Sequence, residues 1–505
     1  MRSATILRSG ILVAASLLLE LLCRWGVIGR LTMTPPSEMI VRLATLLQQS
    51  KYLVQIGSTL RNVLISALVA WVVGFIMGVA LHGLPRVRRA LQPIFVSYFA
   101  LPFFVLYPLL VVLLGMSNIP IVVIGSLSGA LAMLINTLDG LDRIPPVLHK
   151  VGRTFQLGSL RTALLVQLPA TIPYLFTGAK LSLGYVVATV IGAEFILSSS
   201  GLGYSISFAY NNFENATMYA LLLFVILFVT LLLMLLNFIE RRVRYSAGSG
   251  MTTAPSTMKT GTPMQRLLDG MVVTIVLIGC WQVLHLYMGS EALSSPLATV
   301  QRIGSLFQST MFWENVRETA NALWISLAIS CLGGAVVGVL LGSNRFAGAV
   351  VEPMVVMLQA IPKVTLYPVF LLFFGLGLAA KVAFGAIHGI VPVTLVTLNA
   401  VRSLNPALKR TARALHVSPW QTVTTILLPA TIPEIVTAVR LGFCLTFLGV
   451  MVGEMFASKR GLGYMIMNGI SVNDVPTMIA VTVLIGIFAV AVNSFLLTIE
   501  KRVNR

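Results

Sequence analysis

The chain has 505 residues, of which 57% are hydrophobic and only 10% are charged. Soluble domains carry about 25% charged residues, so this composition excludes a soluble enzyme, a disordered chain and a fibrous protein. Lys and Arg number 35 against 16 Asp and Glu, giving a net charge of +19. In a soluble protein that excess would indicate nucleic-acid binding, but in a polytopic membrane protein it marks cytoplasmic loops. We therefore predict a multi-pass protein in a lipid bilayer, with no nucleic-acid partner.

The chain begins with Arg2 and Arg8, followed by an apolar run that ends only at Cys23. A cleaved signal peptide has a shorter apolar core and a small-residue exit site, so we predict an uncleaved first span. A spanning helix needs about 20 apolar residues. The first half of the chain has six stretches that meet this need, near residues 6–28, 60–81, 91–114, 119–138, 172–196 and 217–239.

The second half of the chain repeats the first. Leu168–Pro173 recurs as Leu428–Pro433, 260 residues later, and Gly201–Tyr204 recurs as Gly461–Tyr464 at the same offset. Chance does not produce one constant offset across a whole unit. The sequence thus predicts an all-α polytopic membrane protein with about 12 transmembrane helices in two six-helix repeats. An even number of spans per copy makes the repeats parallel rather than inverted.

The copies are separated by a segment rich in Ser, Thr, Gly and Pro, which is typical of a flexible linker. We predict a first repeat over 1–244, a cytoplasmic linker over 245–264 and a second repeat over 265–505. Lys and Arg are frequent in the loops that this arrangement puts inside, whereas segments 115–118 and 197–216 contain neither. The positive-inside rule then predicts that both termini are cytoplasmic.

The most informative region is the loop between the fourth and fifth spans of each copy. Leu148–Leu160 and Leu408–Trp420 have mixed polarity, and each leads into a Leu-Pro…Ile-Pro element. Proline has no amide donor, so this element suits a helix start or a bend. A loop that only tethers two spans needs no fixed length. The equal length of the two loops therefore favours docking to a partner.

This loop is similar to the EAA loop in the permease subunits of binding-protein-dependent ABC importers. Val166 and Ile426 precede the Leu-Pro pairs as in that motif. The surroundings resemble the nitrate/sulfonate/taurine-type branch, whose Ala-Arg-Thr-Leu element is matched by residues 412–415 and 152–155. The resemblance covers nearly the whole chain, twice.

Two positions depart from that motif. Its Glu position holds Lys150 and Arg410, and its Gly position holds Gln156 and His416. The docking geometry of each loop is therefore expected to differ from that of the family and from that of the other copy.

The resemblance implies a type I ABC importer whose two transmembrane halves form one chain in the bacterial cytoplasmic (inner) membrane. Two copies of a separate ATPase subunit would hold ATP and Mg, and a soluble extracytoplasmic binding protein would deliver a small solute, with anions among the candidates. The chain itself would be a transport subunit without a cofactor, present once per complex. The implied ATPase-coupling residues are Arg153, Thr154, Gln156, Leu157 and Gly158 in the first copy and Arg413, Ala414, His416, Val417 and Ser418 in the second.

Candidate pathway residues lie in the third and fifth predicted spans. Glu194 and Glu454 are acids within a span, where exposure to lipid is costly, and both a structural and a gating role are open. Prolines in the third span permit a bend, which either shapes packing alone or lines the pathway with facing tyrosines. The third-span candidates are Tyr107, Pro108, Tyr367, Pro368 and Lys363, the last as a residue that could attract an anion.

A glycine-rich turn follows each fifth span. Gly201 and Gly203 recur as Gly461 and Gly463. Glycine permits backbone angles that other residues avoid. Each turn is predicted either to shape an outer gate or a seat for the binding protein, or to be a plain turn.

Two further features repeat at the same offset. Gly74 and Gly78 form a GxxxG spacing in the second span, which predicts close helix packing. Lys180 and Arg440 precede the fifth-span acids by 14 residues, about 21 Å along a helix. They cannot pair with those acids, so we expect each to meet another span or to reach an interface.

An ion-coupled secondary transporter built from six plus six parallel spans is the alternative. That class expects an acidic and basic signature after its second span, but residues 82–89 contain no acid. It also gives no reason for two equal loops. An enzyme is disfavoured because the sequence has no phosphate-binding loop and no HExxH or CxxC pair. We predict no catalytic residue and no metal site.

Overall fold

The structure is a computed structural model. It describes residues 2–30, 32–98, 102–144, 147–148, 150, 154–246, 263–404, 407, 416–418 and 421–503. Regular structure within these residues is entirely helical. Most of the predicted linker lies outside the described residues.

Each copy contributes nine α-helices of eight or more residues to the described part of the chain. The first copy has α1 (Arg2–Arg24), α2 (Pro36–Leu46), α3 (Ser50–Gly83), α4 (Pro85–Tyr98), α5 (Tyr107–Leu114), α6 (Asn118–Asp142), α7 (Leu168–Leu197), α8 (Leu202–Asn211) and α9 (Asn215–Ser246). The second copy has α10 (Pro263–Met288), α11 (Pro296–Phe307), α12 (Thr310–Ser343), α13 (Arg345–Ala360), α14 (Tyr367–Phe374), α15 (Leu378–Ser403), α16 (Leu428–Ala457), α17 (Leu462–Ser471) and α18 (Val475–Val503). α12 begins and ends 260 residues after α3.

Ten helices of the described residues are long and apolar enough to cross a membrane, five from each copy. They are α1, α3, α6, α7 and α9 with their counterparts α10, α12, α15, α16 and α18. α3 has 34 residues, about 51 Å, and is therefore much longer than the hydrocarbon core of about 30 Å. It begins ten residues before the predicted span, so part of it projects beyond the apolar layer.

The predicted third span, near 91–114 and again near 351–374, is not a continuous helix. In the first copy α4 is followed by a 3-10 turn, Phe103–Leu106, and then by α5. In the second copy the segments Phe346–Gln359 and Lys363–Phe374 meet at an angle of 89°. Proline lacks an amide donor and disfavours the helical conformation in the residue before it. The bend expected from the prolines is therefore confirmed as a full break, and counting the bent pair as one span gives up to eleven spans.

Within each copy the spanning helices pack in the order α3, α6, α7 and, correspondingly, α12, α15, α16. A Cβ atom added to Gly74 would lie 2.4 Å from the Ala130 carbonyl oxygen, and one added to Gly78 would lie 2.7 Å from the Thr137 Cβ. The close helix packing predicted from the GxxxG spacing is confirmed. Gly334 and Gly338 repeat it against α15.

The first helix of each copy packs against the other copy. α1 lies along α13, where the Arg8 guanidinium donates to the carbonyl oxygens of Ala349 (3.0 Å) and Val350 (3.2 Å). α10 lies along α4 in return. This reciprocal exchange gives the duplicated chain a pseudo-two-fold arrangement, and it joins the copies by contacts additional to those of the central helices.

Candidate translocation site and coupling loops

The predicted coupling loops lie directly before α7 and α16. Arg153, Arg413 and Ala414 fall outside the described residues. In the first loop the Thr154 hydroxyl donates to the Lys150 carbonyl oxygen at 3.0 Å. Leu157 is half-buried, and Gly158 is exposed and precedes a helical turn, Ser159–Thr162.

The second loop ends in a reciprocal cap. The Ser418 hydroxyl accepts from the Gln421 amide, and the Gln421 side chain accepts from the Ser418 amide, both at 3.2 Å. This is the capping-box arrangement at a helix start. Val417 beside it is half-buried. Gly158 stands where Ser418 does, so the first loop has no side chain for this cap.

Gln156 and His416 adopt the left-handed backbone conformation, with φ of +48° and +49°. Both are exposed. These are the two positions where the family motif has glycine, which enters that region without steric cost. A residue with a Cβ is disfavoured there by about 1–2 kcal/mol. The geometry therefore explains why the motif has Gly, and it places the same strain in both loops of this chain.

The outer glycine turn is built on Glu194, a fully buried residue of α7. The Thr59 hydroxyl of α3 donates to the Glu194 carboxylate at 2.6 Å and accepts from the Leu202 amide at 2.7 Å. The Asn62 side chain donates to the same carboxylate at 3.2 Å. The first amides of α8 have no intrahelical partner, so these side chains satisfy them and bind the turn to two spanning helices.

The second copy repeats this arrangement with Glu454, which is also buried. The Thr319 hydroxyl lies 2.9 Å from both carboxylate oxygens and accepts from the Leu462 amide at 2.8 Å. Asn315 accepts from the Gly461 amide at 2.6 Å, as Gln55 does from the Gly201 amide in the first copy. The counterpart of Asn62 is Ala322, so Glu454 has one side-chain donor fewer.

The turns require glycine at both predicted positions. Gly201 and Gly461 have φ of +104° and +120°. A Cβ on either would lie 2.2 Å from a carboxyl carbon, that of Glu194 in the first copy and that of Glu454 in the second. A Cβ on Gly203 or Gly463 would lie 2.1 Å from the Ile191 carbonyl oxygen or 2.7 Å from that of Met451. The structure thus brings the predicted acids and glycines into one cluster, and this geometry favours the structural role for the acids.

Sequence reasoning missed the α3 and α12 members of this cluster, namely Gln55, Thr59, Asn62, Asn315 and Thr319. Thr59 and Thr319 are 260 residues apart, as are Gln55 and Asn315. The offset itself was therefore the signal that could have found them, since polar residues that recur within apolar helices need partners.

Lys180 and Arg440 meet another span, as expected. Lys180 pairs with Glu240 on α9 and donates to the Asn237 side chain at 3.2 Å. Arg440 donates to Glu500 on α18 at 2.6 Å. These pairs join the fifth and sixth spans of each copy near the middle of α7 and α16, 14 residues before the acids.

The tyrosines after each break are fully buried. The Tyr107 hydroxyl donates to the Leu197 carbonyl oxygen at 3.0 Å. The Tyr367 ring makes edge contacts with Phe384 and Phe456, at centroid distances of 4.7 and 5.6 Å. Each of these contacts lies within one copy, and a direct approach of the two tyrosines stays a prediction. Pro108 and Pro368 are the second residues of α5 and α14, where proline is well tolerated.

The two breaks lie at the interface between the copies. The 3-10 turn Phe103–Leu106 packs against α16, and Lys363–Leu366 packs against α7. Phe456 of the second copy approaches Phe195 and Tyr210 of the first at 4.3 and 5.9 Å. The segments that the sequence predicted to line a pathway therefore contact the opposite half of the molecule.

Comparison with known proteins places the chain in a family. It matches the family described as "Binding-protein-dependent transport system inner membrane component" over residues 70–245 and again over 334–505, more than half of its length. The chain belongs to this family and carries its domain twice. The predicted resemblance to ABC importer permeases, fused in tandem, is confirmed.

Individual relatives each correspond to about one copy. The putative aliphatic sulfonates transport permease protein SsuC of Bacillus subtilis is 24% identical over 246 residues, 48% of this chain and 89% of that protein. The taurine transport system permease protein TauC of Escherichia coli is 26% identical over 198 residues, 39% of this chain and 70% of that protein.

A third relative is closer in identity. The nitrate import permease protein NrtB of Leptolyngbya laminosa is 30% identical over 189 residues, 37% of this chain and 68% of that protein. Each of these alignments covers most of the relative and less than half of this chain, as a fused pair requires. The protein is thus a multi-pass membrane transport subunit of the ABC permease family.

Proposed function

We propose that this chain supplies both transmembrane halves of an ABC importer. Two separate ATPase subunits would drive it, and one soluble extracytoplasmic binding protein would supply its solute. The observation that carries the proposal is the double family match on two copies that exchange their first helices. Because both halves are already present, one permease chain per complex is sufficient. Both termini would be cytoplasmic, on the side of the basic loops.

The loops before α7 and α16 are the sites where we propose that the ATPases dock. Their equal length, their common left-handed residue and their position at the base of a spanning helix support this role. Closure of the two ATPases around ATP and Mg would then move α7 and α16, whose outer ends carry the glycine turns. A rigid helix of 30 residues can transmit such a movement between an inward-open and an outward-open state.

The solute is proposed to be small. The relatives are named for sulfonates, taurine and nitrate, and others for formylaminopyrimidine and riboflavin. These names differ in charge and size, so they do not select a solute for this chain. A preference for an anion is proposed from Lys363 and is argued separately below.

The test is reconstitution of the chain in liposomes with candidate ATPase subunits and binding proteins. We expect uptake that depends on ATP and on all three components. Uptake that persists without any ATPase and collapses with a proton uncoupler would overturn the proposal in favour of an ion-coupled transporter.

A second test addresses the docking loops. Charge reversal by Arg153→Glu and Arg413→Glu should each weaken association with the ATPases by about tenfold, as loss of a charge-assisted contact does. Arg86→Glu, at an exposed position in the first turn of α4, is the matched control and should change nothing. Unchanged association in both loop variants would show that the docking surface lies elsewhere.

A further inference from the structure

The two copies differ most at the break between α4 and α5 and its counterpart between α13 and α14. Lys363 occupies the position of Phe103, and both side chains are buried, with 7% of each residue exposed. The Lys363 ammonium donates to the Gln359 side chain at 3.2 Å. This is its only hydrogen bond to the described part of the chain, and no carboxylate there pairs with it. An ammonium has three donors, and its burial without a counter-charge is costly.

A second polar group at the same break also lacks a partner. The Tyr367 hydroxyl is buried and makes no hydrogen bond with any described residue. Its counterpart in the first copy, Tyr107, donates to the Leu197 carbonyl oxygen. Buried hydroxyl groups are normally hydrogen-bonded. The second copy therefore holds two buried donors in excess, Lys363 and Tyr367, four residues apart in one short segment.

The turn that begins with Lys363 lies where the copies meet. The 3-10 turn Lys363–Leu366 packs against α7 of the first copy, where a Cβ on Gly192 would lie 3.3 Å from the Val364 side chain and 2.5 Å from the Phe104 ring. The bare backbone of Gly192 is therefore what lets the two breaks approach. The Nδ1–H group of His388, a buried residue of α15, donates to the Phe384 carbonyl oxygen at 2.8 Å. The His388 ring packs on Phe384, as the Tyr367 ring does.

We propose that Lys363 and Tyr367 form an anion-binding site for the transported solute, supplied by the second copy alone. The ammonium and the hydroxyl would donate to one oxyanion, such as a carboxylate, a sulfonate or nitrate, while the first copy presents the apolar side chain of Phe103. One-sided recognition is sufficient because the site lies at the interface, where a single solute meets both copies. The claim that the bound anion is the transported solute rests on the proposed function. The claim that an anion binds at this site does not depend on it.

The test uses the full-length chain, purified in detergent in a buffer of low anion content. Its thermal unfolding midpoint is measured with sodium nitrate, ethanesulfonate or acetate, and with sodium chloride at equal ionic strength. We expect at least one oxyanion to raise the midpoint at concentrations where chloride does not. Lys363→Met should raise the half-saturating concentration by about tenfold or more, as loss of a charge-assisted contact does. Tyr367→Phe should raise it by about threefold, as loss of a neutral hydrogen bond does.

Three controls separate this role from a structural one. Tyr107→Phe removes the equivalent hydroxyl of the first copy and should leave the anion response unchanged. Lys381→Met removes another buried lysine of the second copy, which pairs with Glu318, and should also leave it unchanged. Lys363→Arg keeps the charge and should retain the response, so it serves if Lys363→Met does not fold.

The outcomes are distinct. An anion response that is equal in the Lys363→Met variant, or that is lost equally in Tyr107→Phe, overturns the site. An equal response to chloride and to every oxyanion identifies a permanent counter-ion and overturns the assignment to cargo. No response to any oxyanion in the wild-type chain also overturns the proposal. Because no ATPase is present, these results are independent of the uptake experiment, and either proposal can fail without the other.

Discussion

The two copies are alike at the outer turn and unlike at the break. At the turn, each acid accepts from a threonine hydroxyl, Thr59 for Glu194 and Thr319 for Glu454. Each threonine in turn accepts from the equivalent backbone amide at the start of the following helix. At the break, one copy has Phe103 and the other Lys363. The turn holds each copy's own helices together, so both copies need it. The break lies at the shared interface, where one copy can supply a polar group for both. The duplicated residues are therefore free to diverge at the break.

The largest effect is expected at the second glycine of each turn. Gly203→Ala would drive a Cβ against the Ile191 carbonyl oxygen, 2.1 Å away. Backbone cannot move aside as a flexible side chain can, so we expect a loss of about 3 kcal/mol in the free energy of unfolding. The measurement is reversible denaturation in mixed micelles.

Two companion variants make this test sharper. Gly463→Ala, with 2.7 Å to the Met451 carbonyl oxygen, should lose less than Gly203→Ala. Gly184→Ala on α7, where a Cβ would meet nothing within 4 Å, is the matched control and should be neutral or stabilising by about 0.5–1 kcal/mol. Equal losses in all three would mean that the turn is not rigidly packed.

The next effect concerns an ion pair that only the second copy has. Lys381, 2% exposed at its side chain, pairs with Glu318 at 3.0 Å and donates to the Arg460 carbonyl oxygen at 2.9 Å. The first copy has Ile121 and Ser58 at these two positions. Lys381→Ile alone leaves Glu318 unpaired and should cost about 2 kcal/mol in the free energy of unfolding, less than for a fully buried pair because Glu318 is partly exposed.

Installing the whole first-copy pair tests the reason for that loss. The double variant Lys381→Ile with Glu318→Ser should recover more than half of the stability lost by Lys381→Ile, because no unpaired charge remains. A double variant as unstable as the single one would show that the lysine acts through its contact with the Arg460 carbonyl oxygen instead.

A smaller difference is expected between the two threonines. Thr319→Val and Thr59→Val each remove a hydroxyl that bridges a carboxylate and a helix amide, at about 1–3 kcal/mol. Asn62 still donates to Glu194 in the first copy, whereas Ala322 stands at that place in the second. We expect Thr319→Val to cost about 1 kcal/mol more than Thr59→Val, measured by the same denaturation. The reverse order would mean that Asn62 contributes nothing to the turn.

The smallest effect is expected in the coupling loops. Gln156→Gly and His416→Gly remove the strain of the left-handed backbone at +48° and +49°. The gain should be about 1 kcal/mol or less for each loop, since glycine also loses more freedom on folding. Slower hydrogen exchange of the neighbouring amides would report it. Gln156→Ala and His416→Ala, which keep a Cβ, should bring no such gain. A gain in one loop only would show that the two loops are not equivalent.

The sequence by itself determined the duplication, the family and the position of nearly every span, because hydropathy and a constant offset are properties of the chain in order. It also predicted the bend of the third span from the prolines there. The size of that bend was not predictable, since hydropathy measures an apolar run and carries no information on its direction. The ends of α3 and α12 were likewise missed, because polar residues there continue the helix beyond the apolar run.

Only the tertiary structure decided what the buried polar groups do. Thr59 lies 135 residues from Glu194 in the chain, and no local pattern joins them. The exchange of α1 and α10 between copies is also a matter of packing, since either copy offers the same apolar surface. The partner of the Tyr107 hydroxyl and the lack of one for Tyr367 follow from small differences in how equivalent helices approach. All of these contacts depend on which residues lie close together in space. The sequence indicates them only where the duplication repeats a polar residue at the constant offset.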